Sequence, residues 1–245
     1  MSEVMKLIQE RHSARIPFDR DRPIAAEEMR QILEAARWAP TAHNMQNFSI
    51  VVVDDRQLLE AIASIGFEVS ETFVRENYEQ LSFSDEELRQ KQVGILGTMF
   101  PPSWRTPGAK LEPSERQSAF QGRAVRESAA LLVVVCDPSQ RAPASEGDFL
   151  GIISLGCVLE NMWLAAEALG IGFHVVSALA AEGVADEVQR LLGIPGNLRI
   201  AFAVRLGYPL IRPPYLRVRR DLERFVHHNR YLAIGKARGD RSHAP

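Results

Sequence analysis

The chain has 245 residues, of which 46% are hydrophobic and 24% charged, with a formal net charge of −2. That length supports a sizeable core, and the composition excludes a largely disordered chain. A near-neutral balance excludes a dominant nucleic-acid or anionic-membrane surface, so any anion site must be a local basic cluster.

Residues 1–6 hold no apolar run of signal-peptide type, and Cys136 and Cys157 lie in apolar surroundings at no metal spacing. Two buried free thiols in a cytoplasmic protein are expected. A short amphipathic segment carrying Val4, Met5, Leu7 and Ile8 then leads into Arg11-His12-Ser13-Ala14-Arg15. Arginine suits bidentate recognition of phosphate or carboxylate, while Ser and His add small donors. The cluster is either a solvated helix end or, if the chain becomes extended before Pro17, a set of donors around one small volume.

Apolar spacing predicts a helix over 27–38, stopped by Ala39-Pro40. A polar loop, Thr41-Ala42-His43-Asn44-Met45-Gln46-Asn47, precedes a β-branched strand at 48–53. Residues 57–97 read as mostly helical, with breaks near Gly66 and 82–84. The segment Met99-Phe100-Pro101-Pro102-Ser103-Trp104 cannot continue a helix and reads as a lid, a pocket wall, a subunit contact or simple packing.

Further strands are predicted at 131–136, 171–176 and 198–206, and a helix at 182–192 closed by Gly193. The run 149–169 is apolar enough to resemble a membrane span, but Glu160, Asn161 and Glu167 interrupt it. A helix buried on most sides within a soluble core is the expectation, with no membrane partner. The tail carries Arg212, Arg217, Arg219 and Arg220, and residues beyond Tyr231 are polar and expected to fray. Without a linker or repeat, one α+β domain over 1–231 with a central sheet is expected.

No Walker loop, dinucleotide-binding glycine motif or Gly-x-Ser-x-Gly elbow occurs, and adjacent His227 and His228 would diverge on a helix. No metal site is expected. What remains is basic and amide-rich. Arg217 and Arg219 are two apart and could close on one phosphate, or form a solvated basic strand. Asn44 and Gln46 share that spacing; they suit the edge of a heterocycle, or serve as turn formers.

The pattern Arg11-His12-Ser13-x-Arg15-x-x-Phe18, then Leu33-Glu34-Ala35-Ala36-Arg37-x-Ala39-Pro40-Thr41-x-x-Asn44-x-Gln46 before a valine-rich strand, resembles the nitroreductase family of FMN-dependent oxidoreductases. Ala168-Leu169-Gly170-Ile171-Gly172, Leu206-Gly207-Tyr208-Pro209 and Arg217-x-Arg219 agree with it in order and spacing. The resemblance implies a central mixed β-sheet flanked by helices and an interlocked homodimer with terminal arms, FMN lying at the subunit interface.

Carried over by position, Arg11, His12, Ser13 and Arg15 would hold the phosphate, ribityl chain and pyrimidine edge, with Arg217 and Arg219 completing those contacts. Pro40, Thr41, Asn44 and Gln46 would reach FMN, some from the partner subunit. Val176, Ser177 and Ala178 match the segment whose backbone lies by flavin N5, and no side chain would act as nucleophile or base. The family's activity would be hydride transfer from NADH or NADPH through FMN to a nitroaromatic, a quinone or a related small acceptor, in two ping-pong steps.

Phe100 and Trp104 would shape the substrate pocket. A reductive dehalogenase-like or flavin-consuming relative, or a non-catalytic flavin-binding protein, are the alternatives. One departure stands out: the family commonly has proline after this glutamine, whereas here Asn47 follows Gln46.

Overall fold

The computed structural model of the chain describes residues 1–66, 84–91, 119–143, 145, 147–212 and 218–231. Phe100, Trp104 and Arg217 lie outside them, as do the expected helical stretch over 67–83 and the tail beyond Tyr231. The chain divides into two compact units, one of residues 1–70 with 110–213 and one of 71–109 with 214–245.

The first unit is built on a four-stranded sheet: β1 (Phe48–Val53), β2 (Ala130–Cys136), β3 (Gly172–Val175) and β4 (Arg199–Gly207), in the order β1-β2-β4-β3. The α+β class and the central sheet stand as expected, but the described pairings are all antiparallel rather than mixed. β2 and β3 do run the same way. β4 inserts between them and opposes both, so the parallel relation never becomes a pairing.

Six helices of this unit are α1 (Glu3–Glu10), α2 (Ala26–Arg37), α3 (Arg56–Ala63), α5 (Ala119–Arg126), α6 (Phe149–Ala168) and α7 (Val184–Leu192). The second unit contributes α4 (Asp85–Lys91). The strand alternation of β2 sorts the core into two layers. Leu131, Val133 and Val135 pack with Leu59 and Ile62 of α3, Val125 of α5 and Val188 of α7. Leu132 and Val134 pack with Ile32 and Ala36 of α2 and with Val158 and Met162 of α6. Every residue of β2 is buried as a result, each large side chain contributing roughly 1.5–3 kcal/mol.

α6 corrects one expectation. Its buried residues are Ser154, Val158, Met162 and Ala166, a single stripe repeating every four positions. Phe149, Ile152 and Ile153 are 66%, 54% and 47% exposed. Among the described residues the helix buries this one stripe, and its first two turns keep an exposed apolar face. Cys157 sits one position off the stripe and is partly exposed, unlike the buried Cys136.

After α1 the chain becomes extended at Arg11 (φ −51°, ψ 132°). Ala14, Ile16 and Phe18 alternate inward and form a third small core. Phe18 bridges to Pro209 and lies flat across the paired glycines Gly172 and Gly207. A Cβ at Gly172 would come within 2.5 Å of the Phe18 ring, and one at Gly207 within 2.7 Å of Phe18. The glycines of those two motifs therefore make room for one aromatic side chain.

Beside that ring lies an unexpected polar pair. Arg205 of β4 stands opposite His174 of β3 and is 2% exposed. Its Nε donates to His174 Nδ1 at 2.9 Å, which leaves the imidazole neutral with its proton on Nε2. Burial first, then the Arg205 and Arg15 charges, push the His174 pKa down to about 2.

In the unfolded chain this imidazole titrates near 6.5. Below that pH the unfolded state takes up a proton that the native state refuses. The His174 contribution is therefore complete above about pH 6.5 and declines as pH falls toward 2, by about 1.4 kcal/mol per unit. Urea unfolding from pH 6.5 to 4.5 is expected to show the native protein losing roughly 2–3 kcal/mol more than His174→Asn, which keeps an acceptor for Arg205. Parallel pH profiles for the two proteins would refute this.

Candidate functional site

Arg11, Ser13 and Arg15 have the opposite parity to Ala14, Ile16 and Phe18. The inward residues are buried and the odd ones only partly covered, so the odd side chains share one face of the segment. The arm's backbone is fixed from both directions. Ala14 N donates to Phe173 O at 2.9 Å, Asp19 N to Tyr208 O at 2.9 Å, and Leu210 N to Pro17 O at 3.1 Å.

α6 supplies the other support. Trp163 stacks on Phe173 with ring centroids 5.0 Å apart and donates Nε1 to His12 O at 3.1 Å. Arg11 lies 4.4 Å over the Trp163 ring, a cation–π contact worth roughly 0.5–2 kcal/mol. Arg11 Nε is 3.0 Å from Glu160 Oε1. It is nevertheless buried without a hydrogen bond, because the N–H is not aimed at that oxygen. His12 leaves the shared face: its Nδ1 is 3.1 Å from Glu10 O and 3.7 Å from Glu167 Oε2. Arg11 and His12 thus both meet α6, and Ser13 and Arg15 follow on the half-covered side of the arm.

The second group is the loop after α2. Thr41 precedes a 3₁₀ turn, Ala42–Asn44, and His43, Asn44 and Gln46 have φ of 52°, 53° and 49°. Left-handed backbone costs a non-glycine residue about 1 kcal/mol or more, least for Asn. The loop is held wound by Ala42 N donating to Ser154 Oγ at 2.9 Å and Gln46 N donating to Thr41 Oγ1 at 3.1 Å. Gln46 Nε2 donates to Asn44 Oδ1 at 3.1 Å, so the two amides are joined and both are exposed, as is Pro40. Three strained residues in one exposed loop suggest function.

The third group follows β3. Val176 N donates to Ala203 O at 2.8 Å and is spent within the sheet. Ser177 and Ala178 open a 3₁₀ turn, Ser177–Ala180, with Ser177 exposed and Ala178 buried. The first amides of such a turn have no acceptor within it. In the second unit, Arg219 is exposed next to buried Val218, and its Nη1 donates to Val218 O at 2.7 Å.

α6 also sets the spacing between the first two groups. Ser154 anchors the loop and Glu160 meets the arm, about 9 Å apart along the axis at 1.5 Å per residue and on different faces. One chain therefore presents the loop and the arm separately. Among the described residues no group of three His, Cys, Asp or Glu is placed to hold a metal.

Sequence reasoning missed Ser154, Trp163, His174 and Arg205. The last two carried a signal, since each is a lone basic residue within a short apolar strand, Phe173-His174-Val175 and Val204-Arg205-Leu206. The missing proline also finds its reason. A proline at 47 would drive residue 46 into extended backbone, whereas Gln46 is left-handed. Asn47→Pro is expected to cost at least about 1 kcal/mol by breaking this winding. Urea unfolding checks it, and unchanged stability would rule out a loop held in this conformation.

The nitroreductase family model matches residues 8–208. A protein of Archaeoglobus fulgidus named for NADH dehydrogenase and NAD(P)H nitroreductase activity is 27% identical over 85% of this chain and 87% of its own length. The NADPH-flavin oxidoreductase of Vibrio harveyi is 31% identical over 50% of this chain and 54% of that one. Among solved structures, a nitroreductase with bound FMN from Desulfitobacterium hafniense superposes with a TM-score of 0.57 at 23% identity, covering 93% of this chain and 98% of that one. The arm, the wound loop and the Ser177 turn all fall inside the family match, and the chain belongs to the nitroreductase family.

Proposed function

We propose that this protein is an FMN-dependent oxidoreductase that uses NAD(P)H to reduce a small acceptor such as a nitroaromatic or a quinone. The observation that carries the reading is the arm, where half-covered Arg11, Ser13 and Arg15 alternate with buried Ala14 and Ile16 on a backbone fixed from both sides. That donor set fits a phosphate and the oxygens of a pyrimidine edge. The names of the Archaeoglobus and Vibrio relatives and the FMN in the Desulfitobacterium structure support the same reading.

In this reading Arg11, Ser13 and Arg15 bind the phosphate-to-pyrimidine side of FMN, and His12 contributes through its backbone. Arg217 and Arg219 complete the phosphate and ring-edge contacts. Amides of Ser177 and Ala178 donate toward N5, and the buried Val176 amide does not. When bound, FMN supplies hydride acceptance from NAD(P)H and hydride donation to the acceptor in two ping-pong half-reactions. Cationic side chains near the pyrimidine edge favour the anionic reduced ring.

Pro40, Thr41, Asn44 and Gln46 reach FMN from a second copy of the chain, which agrees with their separation from the arm on α6. The same second copy covers Phe149, Ile152 and Ile153, and fills the groove of about 490 Å³ lined by Ile152, Leu155, Leu159, Ala180 and Phe202. A patch of this kind is more than a monomer leaves in water without cause.

The purified protein is expected to be yellow and to release FMN on denaturation. Anaerobic NADH or NADPH should bleach it faster than free FMN. A colourless protein that cannot be reconstituted would refute the reading, and a yellow one that never bleaches would identify a flavin binder without turnover. Arg15→Ala and Arg219→Ala should each weaken FMN binding roughly ten- to a hundredfold, the loss of a charge-assisted donor worth roughly 1.5–3 kcal/mol. Ile153→Glu should shift the protein to monomers in sedimentation velocity and lower FMN retention with it. A dimer that persists with full FMN would contradict the shared site.

A further inference from the structure

We propose that Arg205, which is 2% exposed, is a positioning residue that sets the Arg11–Ser13–Arg15 face by clamping the carbonyl groups of the two residues that flank Arg15. The inference rests on the FMN reading of that face.

The position calls for an apolar residue. Arg205 stands on β4 between Leu131 of β2 and His174 of β3, on the buried sheet face covered by α5. A guanidinium is costly to bury there unless its donors are placed. They are placed with unusual economy. Nη2 donates to Ala14 O at 3.1 Å and to Ile16 O at 2.8 Å. Nη1 donates to Ala124 O at 3.2 Å, and Nε to His174 Nδ1 at 2.9 Å. Its Cζ lies over the Phe18 ring, 4.1 Å from the centroid.

Two of those acceptors belong to the arm, and their spacing is what matters. The arm turns at Ala14, where Arg15 N donates to Ser13 O at 2.9 Å, and bends at Ile16, and one nitrogen holds both carbonyls across that turn. The residue between them is Arg15. Arg205 holds the peptide group before Arg15 and the one after Ile16; with Ala14 N tied to Phe173 O and Arg15 N to Ser13 O, the Cα–Cβ direction of Arg15 is set before any ligand arrives. The planar fork is required for this: it is rigid and carries five donors, whereas lysine offers a single centre on a flexible stem. His174 has a defined part as the acceptor that orients Nε. An arm ordered in advance binds more tightly because less freedom is lost on association.

The alternative is that Arg205 is only a core fastener. The two differ in coupling. FMN dissociation constants are to be measured by flavin fluorescence quenching on apoprotein, at a temperature where far-ultraviolet circular dichroism shows each variant folded. Arg205→Lys is expected to raise the constant at least tenfold in the native background. In the Arg15→Ala background it should raise it less than threefold, since the side chain it aims is gone. Equal fold-changes in the two backgrounds, or native-like binding by Arg205→Lys, would overturn the proposal. Failure of the native protein to bind FMN at all would overturn the reading beneath it instead.

If Arg205→Lys yields no folded protein, His174 carries the same test. His174→Leu, which removes the acceptor, should raise the constant at least threefold in the native background and not in Arg15→Ala. His174→Asn, which retains an acceptor, should bind as the native protein does. Identical binding by both His174 variants would overturn the proposal.

Discussion

A charge taken out of water must be met by acceptors at the right places, and in this protein that demand organises the region around the candidate site. Arg205 is 2% exposed and bonds to the arm, to α5 and to β3 together. Removing any one of those partners leaves a buried donor unmet, which costs about 1–3 kcal/mol and more where the donor is charged. The arm, α5 and the β3–β4 pair are therefore obliged to keep one arrangement. His174 stays neutral for the same reason, because a proton on Nδ1 would face the guanidinium.

α6 is the second organiser, and it works by facing several ways. Its buried stripe packs on α2 and the sheet, and Asn161 Nδ2 donates to Ala35 O at 3.1 Å. Ser154 holds the wound loop, while Glu160 and Trp163 meet the arm. The remaining face is apolar and uncovered in its first two turns. A helix this apolar satisfies the length and composition of a membrane span. The hydrogen bonds and ion pairs along it account for its polar residues as protein contacts instead.

The wound loop stores strain where the arm stores order. His43 and Gln46 accept left-handed backbone because Ser154, Thr41 and the Asn44–Gln46 amide pair hold the turn. Asn44 and Gln46, equivalent by spacing, become partners only because the chain between them is wound.

Much of this protein was legible before its fold was seen. β1 follows directly from a β-branched run, and β2, α2 and α7 fall within two residues of their periodicity, because strand alternation and helical spacing are local properties of the chain. The family was legible because its motifs are contiguous and ordered. Burial of α6 was not, since apolar composition states that a helix needs cover and not which chain provides it. Antiparallel pairing throughout the described sheet depended on where β4 inserts, a matter of topology. In the sequence Arg205 is a lone basic residue within an apolar strand, and its meaning required four acceptors drawn from residues 14, 16, 124 and 174. The sequence by itself determined the elements, the family and the chemical character of the arm. Only the tertiary structure decided which side chains share a face and what holds them there, because a buried charge is satisfied by groups distant in the chain and close in space.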